Sequence, residues 1–225
     1  MNWLKRKLQE NPAYSRVAPF VVFLALTVAQ DYSGVFGKYW IYFGKTLVGI
    51  WMIWLVKPYV SELRWAWSWE ALVVGIAIFA VWVGLDDHYR HWGSKPTVET
   101  AWNPIRAFGE GSILGYFFCG VRILGSSLVV PPIEEAFYRS FLYRYIGHPD
   151  FTKIALNYFG WLPFLATSFI FGFAHYQWLV GIICAMAYQW LVIRKGRLGD
   201  AMTAHAITNF LLGSWVVWQG AWKFW

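Results

Sequence analysis

Charge is what this sequence has least of. Only 14% of its 225 residues are Asp, Glu, Lys or Arg, against 58% apolar. A soluble domain carries about 25% charged and about 45–50% apolar residues, so too few charges remain to wet a globule of this size, and a soluble fold is excluded. Cysteine is nearly absent as well. Cys119 and Cys184 both lie inside apolar stretches, which argues against a disulfide framework or a thiolate zinc cluster and reads as two small core residues. No internal repeat, low-complexity tract or separating linker interrupts the chain, so 1–225 reads as one domain. A cleavable signal peptide is not expected, because the apolar run from Val17 to Ala29 ends in Gln30-Asp31 without a small-residue cleavage site.

What is abundant is apolar and aromatic. The 17 Trp and 13 Tyr are amphipathic rings, which concentrate where a bilayer meets water. About 20 apolar residues cross a bilayer as a helix, and the pattern predicts helices over 14–30, 38–56, 70–85, 108–130, 132–146, 155–174, 177–193 and 201–219. The expected fold class is all-α, a polytopic membrane helix bundle of about seven or eight helices. Turn and charge signals at Asp31, Lys57-Pro58, Asp86-Asp87, Pro131-Pro132, Gly147-His148-Pro149 and Arg194-Lys195-Gly196 separate them. The 132–146 segment, the least apolar, is expected as a separate half-inserted or reentrant helix.

The formal net charge of +7 falls in short Lys/Arg clusters between spans, with no continuous basic face, so nucleic acid is not an expected partner. With the N-terminus inside, 12 basic residues fall in the inner segments and 5 in the outer ones, the 86–106 loop counted as outer. The positive-inside rule therefore places the N-terminus in the cytoplasm.

Ionisable groups within apolar spans are costly and face a bundle interior or a wet cavity. Here they are Lys45, Arg122, Glu134, Glu135, Arg139, His175 and His205, with Asn209 as a polar companion. Lys45 and Arg122 read as packing or snorkelling charges, and His88, His91 and His148 as solvated loop residues. Glu135 and Arg139, Phe171 and His175, and His205 and Asn209 are each four residues apart, on one helix face. Glu134 lies about 100° round from Glu135, so the two carboxylates divide their work: Glu135 pairs with Arg139 and Glu134 points elsewhere. Taken singly, each pair also has a purely structural reading, as an ion pair, a satisfied histidine or an interhelical hydrogen bond.

Together, Glu-Glu-x-x-x-Arg (134–139), Phe-x-x-x-His (171–175) and His-x-x-x-Asn (205–209) resemble the three motifs of the CPBP (ABI) family, which includes the type II CAAX prenyl endopeptidases and the bacteriocin-processing or immunity proteases. The resemblance covers about 131–210, the expected catalytic core. Trp82-Val83-Gly84-Leu85-Asp86 is in addition similar to CAAX protease-related proteins associated with bacterial exosortase systems. The resemblance implies an intramembrane endopeptidase whose site opens toward the cytoplasm, in a multi-pass protein of the bacterial inner membrane. Its expected partners are membrane lipids and a membrane-associated protein or peptide substrate. Peptide hydrolysis needs a base for water, donors for the oxyanion and an acid for the leaving amine. The resemblance implies Glu134 as that base, His175 holding the water, His205 and Asn209 facing the oxyanion, and Glu135 with Arg139 supporting them. No cofactor is expected; the alternative is a zinc ion on Glu134, His175 and His205. Two other readings remain at this point, a non-catalytic immunity or scaffold protein and a small transporter with a Glu/His proton relay.

Overall fold

A backbone in hydrocarbon must satisfy its polar groups within the chain, which favours helices. The computed structural model describes residues 2–92 and 100–225, and the segment 93–99 of the expected outer loop lies outside the described residues. Among the described residues there are helices and no strand. Helix α1 is Asn2–Glu10, α2 Tyr14–Asp31, α3 Gly34–Val56, α4 Trp69–Leu85 and the short α5 Pro104–Phe108. They are followed by α6, the continuous run Ile113–Gly147, then α7 Trp161–Phe173, α8 Trp178–Lys195 and α9 Gly199–Gln219. Four helical segments are long and apolar enough to cross a membrane: Gly34–Tyr59, Trp69–His88, Ile113–Gly147 and Trp178–Lys195. The arrangement is the polytopic helical bundle expected from the composition.

The expected break at Pro131-Pro132 does not occur, and the separate 132–146 helix is part of α6. Proline removes an N–H and its ring collides with the carbonyl four residues back. The chain relieves both by widening to a π turn at Gly125–Val129 just before the prolines. There the Val130 N–H reaches past Ser126 to the Gly125 carbonyl. A second π stretch, Ala136–Leu142, follows the glutamates.

Helices α7 and α8 form an antiparallel hairpin whose contact depends on two glycines. A Cβ at Gly172 would collide with Ile182 Cγ1 and stand 2.7 Å from the Trp178 carbonyl, and one at Gly181 would stand 2.9 Å from Gly172 Cα. This close approach, the membrane use of small residues, seats Phe171 and His175 against the bundle.

Charged side chains collect at the two ends of the bundle. At one end Glu62, in the α3–α4 connection, takes Arg16 Nη2 at 2.6 Å and Arg144 Nη2 at 2.8 Å, with Ser140 donating to the same oxygen. Nearby, Lys195 Nζ lies 2.6 Å from Glu70 Oε1 and Arg197 pairs with Asp200. At the other end Lys223 Nζ lies 2.6 Å from Asp86 Oδ2, and His91 Nε2 lies 3.4 Å from Asp86 Oδ1. His91, expected to be solvated, is thus buried against Asp86, its side chain 8% exposed, because the turn after α4 folds back onto the α7–α8 corner. His88 and His148 are exposed as expected, and Cys119 and Cys184 are free and buried.

Burial alone would raise the Glu62 carboxyl, but the Arg16 charge and the hydrogen bonds from Ser140 and Arg16 outweigh it and hold the pKa down to about 2. A depressed carboxyl stabilises the fold fully above its unfolded value of about 4.3 and loses that contribution as pH falls through the folded value. Thermal unfolding of the detergent-solubilised protein is therefore expected to weaken between about pH 4.3 and about pH 2, and Glu62→Gln to flatten that part of the profile. An unchanged profile in the variant refutes the assignment.

Candidate active site

The six motif residues come from α6, the α7–α8 hairpin and α9. Glu135 has no exposed surface and is the point where two of these helices meet. Its Oε1 accepts from Arg139 Nη1 at 3.3 Å and from His205 Nδ1 at 2.9 Å. Arg139 Nε stands 3.2 Å from Oε2, a charge contact without hydrogen-bond alignment. Arg139 is itself buried and its Nη2 also reaches the Ala185 carbonyl of α8 at 3.4 Å. The sequence pairs Glu135 with Arg139 alone; the structure adds His205, which α9 brings in from 70 residues away. An ionised carboxylate only accepts, so His205 Nδ1 carries a proton and Nε2 is the atom left for chemistry.

Phe171 is the second hub. It is 1% exposed, with the Arg139 guanidinium 4.6 Å from its ring centre and Tyr138 edge-on at 4.9 Å. The His175 ring stacks on it at 4.5 Å and the His205 ring stands edge-on at 6.5 Å. His205 is stacked from another side by Tyr188 at 5.2 Å. The motif phenylalanine thus packs against both histidines and the arginine, and it sets their spacing without any polar atom of its own. That role was available in the sequence only as a letter of the Phe-x-x-x-His motif, and Tyr188 carried no signal there at all.

His175 sits just past the end of α7, half-buried, with Nδ1 2.7 Å from the Phe171 carbonyl. A carbonyl cannot donate, so Nδ1 bears the hydrogen and in the neutral ring Nε2 presents its lone pair. Trp82 stands edge-on to His175 at 5.9 Å, and Asp86 accepts from Gln177 at 3.3 Å. The Trp82–Asp86 stretch therefore lines the His175 corner, at the end of the bundle opposite Glu62.

Glu134 is partly exposed, and its buried Oε2 has no hydrogen-bond partner among the described residues. Asn209 donates from Nδ2 to the Ser126 carbonyl at 2.8 Å. That carbonyl is available because of the π turn: Val130 bypasses it, and the next residue, Pro131, has no N–H. The double proline, read from sequence as a helix break, instead anchors Asn209. Among the described residues no group of three or more His, Cys, Asp and Glu side chains could hold a metal ion, so Glu134, His175 and His205 are not drawn together as a ligand set.

No curated protein and no solved structure matches the chain. A family model does, that of the Rce1-like type II CAAX prenyl endopeptidases, over residues 118–211. The match is less than half of the chain, but it runs from within α6 to within α9 and contains Glu134, Glu135, Arg139, His175, His205 and Asn209. The family is one of proteases, and the long apolar helices agree with an integral membrane protein. Over residues 118–211 the chain is similar to the Rce1-like family of type II CAAX prenyl endopeptidases.

Proposed function

We propose that the protein is an intramembrane endopeptidase in which Glu134 activates water against a peptide bond of a membrane-associated protein. The observation that carries this reading is the contrast between two adjacent carboxylates. Glu135 is held by the Arg139 guanidinium and by His205, while no ion pair or hydrogen bond holds Glu134 among the described residues. A general base must have an acceptor oxygen left over to take the proton from water.

In this scheme Glu134 takes a proton from water, and the hydroxide oxygen bonds to the substrate carbonyl carbon. The developing oxyanion is met by His205 Nε2–H and by the second amide N–H of Asn209, the first being held on Ser126. Donating at Nε2 as well as at Nδ1 requires both ring nitrogens of His205 to carry hydrogens. His175 Nε2 helps to hold the water. As the C–N bond breaks, Glu134 returns the proton to the leaving amine, giving one new carboxyl and one new amino terminus.

The location proposed is the bacterial inner membrane, with the N-terminus inside and with membrane lipids and a membrane-associated or lipid-modified protein as partners. N-inside puts the Glu62 end in the cytoplasm and the His175 corner toward the outer face, the reverse of the opening that the resemblance implies. We favour the charge-based placement, because Arg16, Arg144, Arg194, Lys195 and Arg197 all gather at the Glu62 end.

Comparison of protein termini in membranes carrying the wild type or Glu134→Ala, at matched expression, tests the proposal. A terminus is expected only with the wild type, at a melting temperature the variant shares, and strong chelators are expected to leave it. Identical termini refute proteolysis, and inhibition reversed by added zinc supports the metal alternative. Glu135→Ala, which strands a buried guanidinium, is expected to cost about 3–5 kcal/mol of stability as well as activity; equal and silent effects at the two glutamates would sink their division of labour. For orientation, a cysteine at exposed His88 is expected to react with an impermeant maleimide in intact cells, and one at exposed Pro149 only after lysis.

A further inference from the structure

A second polar site lies away from Glu134 and the histidines. Between α2, α3 and α6, at the Asp86 end of the bundle, is a cavity of about 560 Å³ lined by Lys38, Lys45 and Arg122, with the exposed Asp31 as the one acidic side chain among its described lining residues. The two cations that read from sequence as isolated packing charges therefore meet, together with a third.

Neither Lys45 nor Arg122 forms an ion pair with a carboxylate among the described residues. Lys45, 5% exposed, donates to Thr27 Oγ1 at 3.0 Å. Arg122 lies over the faces of Trp102 at 4.5 Å and of Tyr42 and Trp225 at 5.2 Å. Lys38 donates to the Ala101 carbonyl at 3.3 Å and lies over the Tyr39 ring at 5.3 Å, with no carboxylate partner among the described residues. Cation–π contact contributes about 0.5–2 kcal/mol, well short of the cost of a cation withdrawn from water without a counter-charge. The second observation concerns polar atoms. Trp102, 4% exposed, buries its Nε1–H and Gln30, 8% exposed, buries its Oε1, and neither atom has a partner among the described residues. Buried polar groups are almost always paired, so an orphan indole donor beside three cations points to a ligand that accepts hydrogen bonds and carries negative charge.

We propose that this cavity binds a phosphate group, that of an anionic phospholipid headgroup. A phosphate oxygen accepts from Trp102 Nε1–H and a guanidinium takes two such oxygens at once, while the lysines neutralise the remainder. The depth suits a headgroup. Lys45 Nζ lies at the level of Thr27, about one helical turn inside the end of α2, and Val35 on the rim is 67% exposed, an apolar surface for an acyl chain. The occupied cavity would brace α2, α3 and α6, the helix that bears Glu134, without entering the reaction.

The test uses the full chain purified in neutral detergent, with native mass spectrometry and thermal unfolding as readouts. Dioleoyl phosphatidylglycerol, dioleoyl phosphatidylcholine and inorganic phosphate are the probes. The wild type is expected to retain one phosphatidylglycerol in preference to phosphatidylcholine. Lys38→Gln is expected to weaken retention about tenfold, the value of one charge-assisted hydrogen bond. Trp102→Phe keeps a ring over Arg122 but removes the orphan donor, so it is expected to weaken retention several-fold without lowering the lipid-free melting temperature. Lys153→Gln, an exposed charge at the opposite end, is expected to change nothing. Stabilisation by inorganic phosphate that both cavity variants lose supports the phosphate site and assigns it a soluble source. Equal retention by the wild type, Lys38→Gln and Trp102→Phe overturns the proposal; if Lys38→Gln fails to fold, Trp102→Phe alone decides it.

Discussion

A carboxylate with no exposed surface, held between a buried guanidinium and an imidazole, is the constraint around which the bundle is organised. Burying either charge alone would be costly, and Glu135 and Arg139 offset that cost for one another. Because Arg139 also reaches the Ala185 carbonyl and Glu135 also holds His205, one ion pair within α6 ties that helix to α8 and α9. The neighbouring Glu134 is thereby left as the carboxylate without a cationic partner among the described residues. Two chemically identical side chains acquire different surroundings from a rotation of about 100° on one helix.

The aromatic packing serves the same centre. Phe171 separates the His175 and His205 rings while touching both, and the Gly172–Gly181 contact lets α7 come near enough to α8 for that. The π turn before Pro131 does the corresponding work on the other side, since it frees the Ser126 carbonyl that Asn209 holds. Departures from regular α geometry in α6 therefore lie on both sides of the glutamates, where a helix of ideal pitch would have offered neither the free carbonyl nor a passage through two prolines.

Charge divides the molecule along its length. The Glu62 end is a network of paired arginines and lysines, whereas the opposite end holds Asp86 with Lys223 and the cavity of Lys38, Lys45 and Arg122. The Glu135–His205 contact and the cationic cavity both involve residues of α6. The low charge of the chain makes both conspicuous.

The sequence by itself determined the membrane bundle, because its scarcity of charge leaves no other solvent for this surface, and it determined which six polar residues to watch, because motif spacing places them on helix faces. Local periodicity reaches no further. It misread Pro131-Pro132 as a break, since the widened turn that accommodates the prolines is a property of the whole of α6. It gave Glu135 one partner where there are two, left His91 in solvent, and treated Lys45 and Arg122 as separate charges. Each of these depends on contacts between residues tens of positions apart, such as the 70 between Glu135 and His205. Only the packed tertiary structure decides which side chains satisfy one another's charge and which are left to act on something else.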